Sequence, residues 1–177
     1  MSNLLMHYED LLGGGDLRSI GQIRRVIEAI RTQPEFDALF KLIDHPDRRV
    51  AMRAADGVDK ITVRAPSYLV PHKHEILQLL STAHEKEIKW HLALLLPRLR
   101  LTQRERDNAW KALEVWLRES TDSQIVRVNV LQALYHMSAS DARFVKEFKT
   151  ILHNLQQDPS PSLQARMRKI KRSMTSS

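Results

Sequence analysis

Val50, Ile88, Val126 and Leu163 stand 38, 38 and 37 residues apart, and each opens an amphipathic segment just after a polar turn. The turns are Pro46-Asp47-Arg48-Arg49, Glu85-Lys86-Glu87, Asp122-Ser123-Gln124-Ile125 and Pro159-Ser160-Pro161-Ser162. A period held over three steps means that one supersecondary unit is repeated and stacked, because a unit of that size cannot bury its apolar face alone. A middle unit of such a stack touches neighbours on both sides, which accounts for residues 88–99 being apolar almost all round.

Within each unit the hydrophobic spacing is helical. Phe36, Leu39, Phe40 and Ile43 recur at i, i+3, i+4 and i+7, and Phe144, Phe148, Ile151, Leu152 and Leu155 form a similar stripe. Thr32-x-x-Glu35, Thr82-x-x-Glu85, Thr102-x-x-Glu105 and Thr121-x-x-Gln124 read as capping boxes, in which hydroxyl and carboxylate or amide satisfy each other's orphan amides. Pro34, Pro46 and Pro161 suit a first helical turn, where a missing N–H costs little. These signals predict helices at about 2–12 and 17–31, then pairs at about 34–43 with 47–64, 70–81 with 84–100, 103–119 with 122–138, and 141–157 with 161–172. Gly13-Gly14-Gly15 breaks the chain after the first of them. No convincing strand alternation appears, so the expected class is all-α, with antiparallel neighbours joined by short loops.

Several stretches strengthen this reading: Leu17-Arg18-Ser19-Ile20-Gly21, Met52-Arg53-Ala54-Ala55-Asp56, Pro71-His72-Lys73, Lys89-Trp90-His91-Leu92-Ala93, Pro97-Arg98-Leu99-Arg100-Leu101-Thr102, Ile125-Val126-Arg127, Leu131-Gln132-Ala133-Leu134 and Gln164-Ala165-Arg166-Met167-Arg168-Lys169. Through them the chain resembles bacterial HEAT-repeat proteins, and among these a group to which no activity is assigned. The resemblance implies a right-handed α-α superhelix of about four to five helix pairs. Residues 1–177 would form one solenoid domain, with degenerate N-terminal helices at about 2–31 and a basic C-terminal end at about 161–177. It further implies that the second helices form a concave inner layer used to bind macromolecules, and it carries no catalytic residues over.

The charge is unevenly placed. The net charge is +7, yet residues 1–158 hold 23 basic and 21 acidic groups, and beyond Asp158 come only Arg166, Arg168, Lys169, Lys171 and Arg172. A protein that wraps a duplex needs a broad basic stripe to displace counterions; this chain has an end patch. The absence of cysteine excludes disulfides, thiolate nucleophiles and Cys-ligated zinc. The longest apolar run, Leu92–Leu96, stops at Pro97, well short of the roughly 20 residues that span a bilayer. With no basic-then-apolar leader at the N-terminus, the expected location is cytoplasmic, with no membrane contact.

Stacked repeats bring equal positions into rows. Counting each anchor as zero, position three holds Arg53, His91, Asn129 and Arg166, position six Asp56, Leu94, Gln132 and Lys169, and position ten Lys60, Arg98, His136 and Ser173. The candidate binding face is therefore Arg53, Asp56, Lys60, His91, Arg98, Asn129, Gln132 and His136, groups able to hydrogen-bond peptide backbone, carboxylates or phosphates. The expected function is a non-enzymatic scaffold for a protein partner, with no cofactor and no metal. Two alternatives stand beside it: nucleic-acid binding through the C-terminal patch, and a DNA-alkylation glycosylase of HEAT-like fold, with Asp56 between Arg53 and Trp90 as its carboxylate. The other features are weaker. His72 and His74 lie at i, i+2, which point apart on a helix, and read as a solvated helix start; Trp110 and Trp116 read as core; Ser19 lacks a base; and no phosphate loop, dinucleotide fingerprint, nucleophile elbow or HExxH motif occurs.

Overall fold

A computed structural model describes residues 2–14, 22–119 and 123–175. Ten α-helices occur among the described residues: α1 (Ser2–Gly13), α2 (Ile23–Ala29), α3 (Gln33–Lys41), α4 (Arg48–Arg64), α5 (Lys73–Thr82), α6 (Lys86–Leu95), α7 (Gln103–Glu119), α8 (Gln124–Ser140), α9 (Val145–Asn154) and α10 (Pro161–Thr175). Short 3-10 turns at Leu42–Asp44, Pro66–Leu69, Leu96–Arg98 and Ala142–Phe144 extend or precede them. No strand occurs among the described residues, and no helix there is long and apolar enough to cross a membrane. The helices stack as an all-α solenoid of two layers. In one, α4 packs on α2 and α6, and α8 on α6 and α10; in the other, α1 meets α3 and α5 meets α7.

The local signals act as expected in part. At Thr32 both halves of the capping box form, and Pro34 sits in the first turn of α3. At α7 the Thr102 amide donates to Glu105 at 2.7 Å while the Glu105 amide donates to Thr102 Oγ1 at 3.3 Å. Thr82 is a correction: it ends α5, where its hydroxyl donates back to the Gln78 carbonyl at 3.4 Å, and Glu85 occupies the N-cap of α6. Pro46 precedes the helix, because the Asp47 side chain takes the N-cap by accepting from the Arg49 amide. Thr121 and Ser19 lie outside the described residues.

The repeat anchors open the core stripe of the inner layer. Val50 is 2% exposed, Ile88 9%, and Val126 and Leu163 0%, so the aligned positions do the same job in each unit. Positions four and seven are buried throughout: Ala54, Leu92, Val130 and Met167, then Gly57, Leu95, Ala133 and Ile170. Gly57 marks the closest approach, since a Cβ there would lie 2.6 Å from Ile23 Cδ1 and 3.1 Å from Leu39 Cδ2. It lets α4 settle against α2 and α3. Trp110, 2% exposed, stacks on Phe144 with centroids 4.3 Å apart and joins the core with Trp116.

Polar side chains tie successive units together at nearly the repeat spacing. In the outer layer His72 Nε2 meets Asp37 Oδ1 at 2.7 Å, Lys73 Nζ meets Glu105 at 2.9 Å, and Arg143 Nη1 meets Asp107 at 3.0 Å, linking α3 to α5, α5 to α7 and α7 to the turn before α9. In the inner layer Arg48 bridges to Glu87, Arg98 to Asp59, and Arg166 to Gln132. These six links join residues 32 to 39 apart in sequence. His72 is thus no solvated helix start; it is a buried rung. Burial pulls Asp37 upward, yet the bonds from Gln33 and His72 outweigh it and hold the carboxyl below its ordinary pKa.

Candidate inner-layer binding face

Helical phase divides the expected rows. With 3.6 residues to the turn, positions four and seven come back almost over the anchor, and position three falls on the flank of the same buried stripe. Positions six and ten fall further round on that flank, toward the edge of the helix. Their exposure follows this geometry.

Arg53 and His91, at position three of α4 and α6, are each 1% exposed. Both are therefore corrected from the accessible face to the packed seam. The Arg53 guanidinium donates to the carbonyls of Leu12 and Gly14, at the C-terminal end of α1. A cation at a helix C-terminus answers orphan carbonyls and the negative end of the dipole, so Arg53 fastens α1 to the first full repeat. Arg98 is also committed to the frame: Nη1 donates to the Asp59 carbonyl at 2.8 Å and to Thr62 Oγ1 at 2.7 Å, and Nη2 to Asp59 Oδ1 at 2.7 Å. Arg127, which the repeat alignment left out of the rows, serves the same way one unit later. Its Nε donates to the Leu117 carbonyl at 3.1 Å and its Nη2 to Asp158 at 2.5 Å, lowering the Asp158 pKa.

His91 differs from the arginines. Neither ring nitrogen has a hydrogen-bond partner among the described residues, and the ring centroid lies 3.4 Å from that of Trp90. Burial, helped by the charge of Lys60, pushes its pKa down to about 3. It is a neutral core side chain.

The remaining residues stay at the surface. Asp56 and Lys60 form an i, i+4 pair at 2.6 Å on α4. Half-buried Asn129 donates to the Ile125 carbonyl of its own helix at 2.9 Å. Gln132 is the hub of a short network: its Nε2 lies 2.8 Å from His136 Nε2, and its Oε1 accepts from Arg166 Nη1 at 2.7 Å. Partial burial, then the Arg166 charge, lowers the His136 pKa. Beyond this network Arg168, Lys169, Lys171 and Arg172 are exposed along α10, whose described residues contain no acid. The structure thus brings together Gln132, His136 and Arg166 across two units, keeps Asp56 with Lys60, and withdraws Arg53, His91 and Arg98.

One feature of the surface has no precursor in the rows. A groove of about 680 Å³ opens between α2 and the C-terminal half of α4, over Ile27, Ile61, Val63 and Tyr68. Stepping the repeat back from Val50 lands on Leu12, in α1, so α2 is out of register and its residues entered no row. Among the described residues no group of three or more His, Asp or Glu side chains is placed to hold a metal ion.

A family model described as a HEAT repeat domain matches residues 9–174, and the chain belongs to that family. Such repeats generally build scaffolds for protein–protein interaction. No curated protein and no solved structure matches the chain.

Proposed function

We propose that this HEAT-repeat protein is a non-enzymatic interaction module that holds a polypeptide partner against the exposed edge of its inner layer. The observation that carries this reading is the Gln132–His136–Arg166 network, which spans two units and still leaves His136 exposed. Asp56, Lys60, Asn129 and Lys169 extend the same polar edge along neighbouring helices. An array of amides, an imidazole and charges of both signs suits a peptide backbone with mixed side chains better than a uniform polyanion.

Asp56 has a poor setting for a glycosylase carboxylate. Its Oδ2 is engaged by Lys60, Arg53 faces the end of α1, and the Trp90 ring packs against His91. A second reading is favoured by one specific observation, the exposed basic residues of α10: weak nucleic-acid binding there would be electrostatic and steeply salt-dependent.

The test is a Gln132→Ala, His136→Ala, Lys169→Ala variant. These residues are outside the packed core, so melting should change little, while capture of a polypeptide partner from native lysate should weaken. Undiminished capture with an intact fold would remove the inner edge as the binding surface.

A further inference from the structure

We infer that the groove between α2 and α4 is a docking site for an acidic, amphipathic peptide segment. This rests on the reading that the inner layer receives a polypeptide, and adds a place and a partner chemistry. Two properties of the groove point to that class of partner.

The floor is apolar and open to solvent. Ile27, Ile61 and Tyr68 are half-buried, and Val63 is 63% exposed, one of three exposed large hydrophobic side chains among the described residues. A slot of about 680 Å³ has room for one or two aliphatic side chains of a partner helix.

The rim is cationic. Arg24, Arg31, Lys60 and Arg64 line the groove, and among the described residues no carboxylate does. Lys60 is answered by Asp56 at 2.6 Å, and Glu35, which accepts from the Arg31 amide at 2.8 Å, lies beside the Arg31 charge. The amide bond first, and then that charge, help hold the Glu35 pKa down. Arg24 and Arg64 have no acidic partner among the described residues. Both are exposed, one on each helix that walls the groove, so carboxylates flanking the apolar anchor of a partner would meet one arginine on either side. The same positive rim rejects a basic helix by like-charge repulsion.

The aromatic arrangement favours peptide over nucleic acid. Tyr68 stacks on Phe36 with centroids 5.1 Å apart and planes at 12°, and its hydroxyl donates to the Arg31 carbonyl. One face of its ring is thus already occupied and its polar end is spent, which leaves a poor platform for a base.

The experiment uses the full chain and three fluorescent peptides of about four helical turns: one with leucines at i, i+3, i+4 and i+7 among glutamates, a second with lysines for the glutamates, and a third with serines for the leucines. The acidic leucine peptide should bind with salt-sensitive affinity, and the other two weakly. Arg24→Glu combined with Arg64→Glu should weaken it about tenfold or more, and Val63→Asp should weaken it separately, with melting temperatures confirming that each variant folds. Lys111→Glu with Lys149→Glu, on the outer helices α7 and α9, should leave it within about twofold.

Equal binding of the acidic and basic peptides would overturn the proposal, as would insensitivity to the groove variants or loss through the outer-helix variant instead. It would also fall if the groove variants abolished self-association or binding to anionic vesicles while sparing the peptide, since the groove would then belong to a second copy or to lipid. Should a polypeptide still crosslink at His136 while the acidic peptide ignores the groove, the inner-layer reading survives and this assignment alone is lost.

Discussion

His91 sits in the middle of the inner layer, 1% exposed, with two ring nitrogens that find no partner among the described residues, and replacing it with leucine should stabilise the protein. Leucine has a similar size and no polar atoms, so the change removes an unsatisfied buried group without opening a large cavity. At about neutral pH the expected gain is about 1–3 kcal/mol, the usual cost of leaving such a group unpaired. Acid adds a second effect of similar size. The folded pKa is pushed down to about 3 from an ordinary 6.5, so the unfolded chain takes up the proton first. The contribution of His91 to stability is therefore complete above about pH 6.5, declines through the window down to about 3, and is flat below it. At about pH 5 the wild type should have lost about 2 kcal/mol to this one residue. Asp37, Asp141, Asp158, Glu35 and Glu105 all have lowered pKa values, so their losses come below that point. His136, also lowered, contributes to both proteins and cancels in the comparison. Urea unfolding of wild type and His91→Leu at about pH 7 and about pH 5 reads both effects. Parallel pH dependences, or a variant less stable than wild type at neutral pH, would show that the imidazole is neither unpaired nor neutral as argued.

Further outcomes follow from the frame. Leu92→Ala and Leu131→Ala, at positions 2% and 0% exposed, should each cost about 2–5 kcal/mol in chemical unfolding. Arg127→Ala strands Asp158 and the Leu117 carbonyl, and should cost about 3–5 kcal/mol by the same measurement. Gly57→Val forces a side chain into the contact with Ile23 and Leu39, for a loss of about 1–3 kcal/mol. Any binding to random DNA should lose about 2–3 units of salt slope in an Arg168→Gln, Lys169→Gln, Lys171→Gln variant, measured by fluorescence anisotropy.

The ten helices were legible because their periodicity and punctuation come from local physics. Anchor positions follow from the apolar stripe, and the boxes at Thr32 and Thr102 close within one turn. Thr82 was misread because a threonine in a final turn can satisfy itself on the i−4 carbonyl, leaving the same letters without the cap. The binding rows were half legible. Polar identity at position three implied solvent, whereas helical phase places it in the seam; Arg53 is polar there because α1 ends above it with carbonyls to satisfy. Nothing in the sequence names Leu12 and Gly14 as its acceptors, since the contact spans 41 and 39 residues across a glycine break. His91 shows the converse, a polar letter in an apolar site. The α2–α4 groove was invisible because α2 departs from the repeat register that generated the rows.

The claim that a polypeptide sits on the inner edge is tested most directly by site-specific photo-crosslinking in native lysate. A photoreactive residue placed at exposed His136 or Lys169 samples the inner layer; one at exposed Lys111 or Lys149 samples the outer helices α7 and α9. Discrete protein adducts should form from the two inner positions and be absent from the two outer ones. Adducts confined to the outer positions, or inner adducts consisting of nucleic acid, would contradict the account.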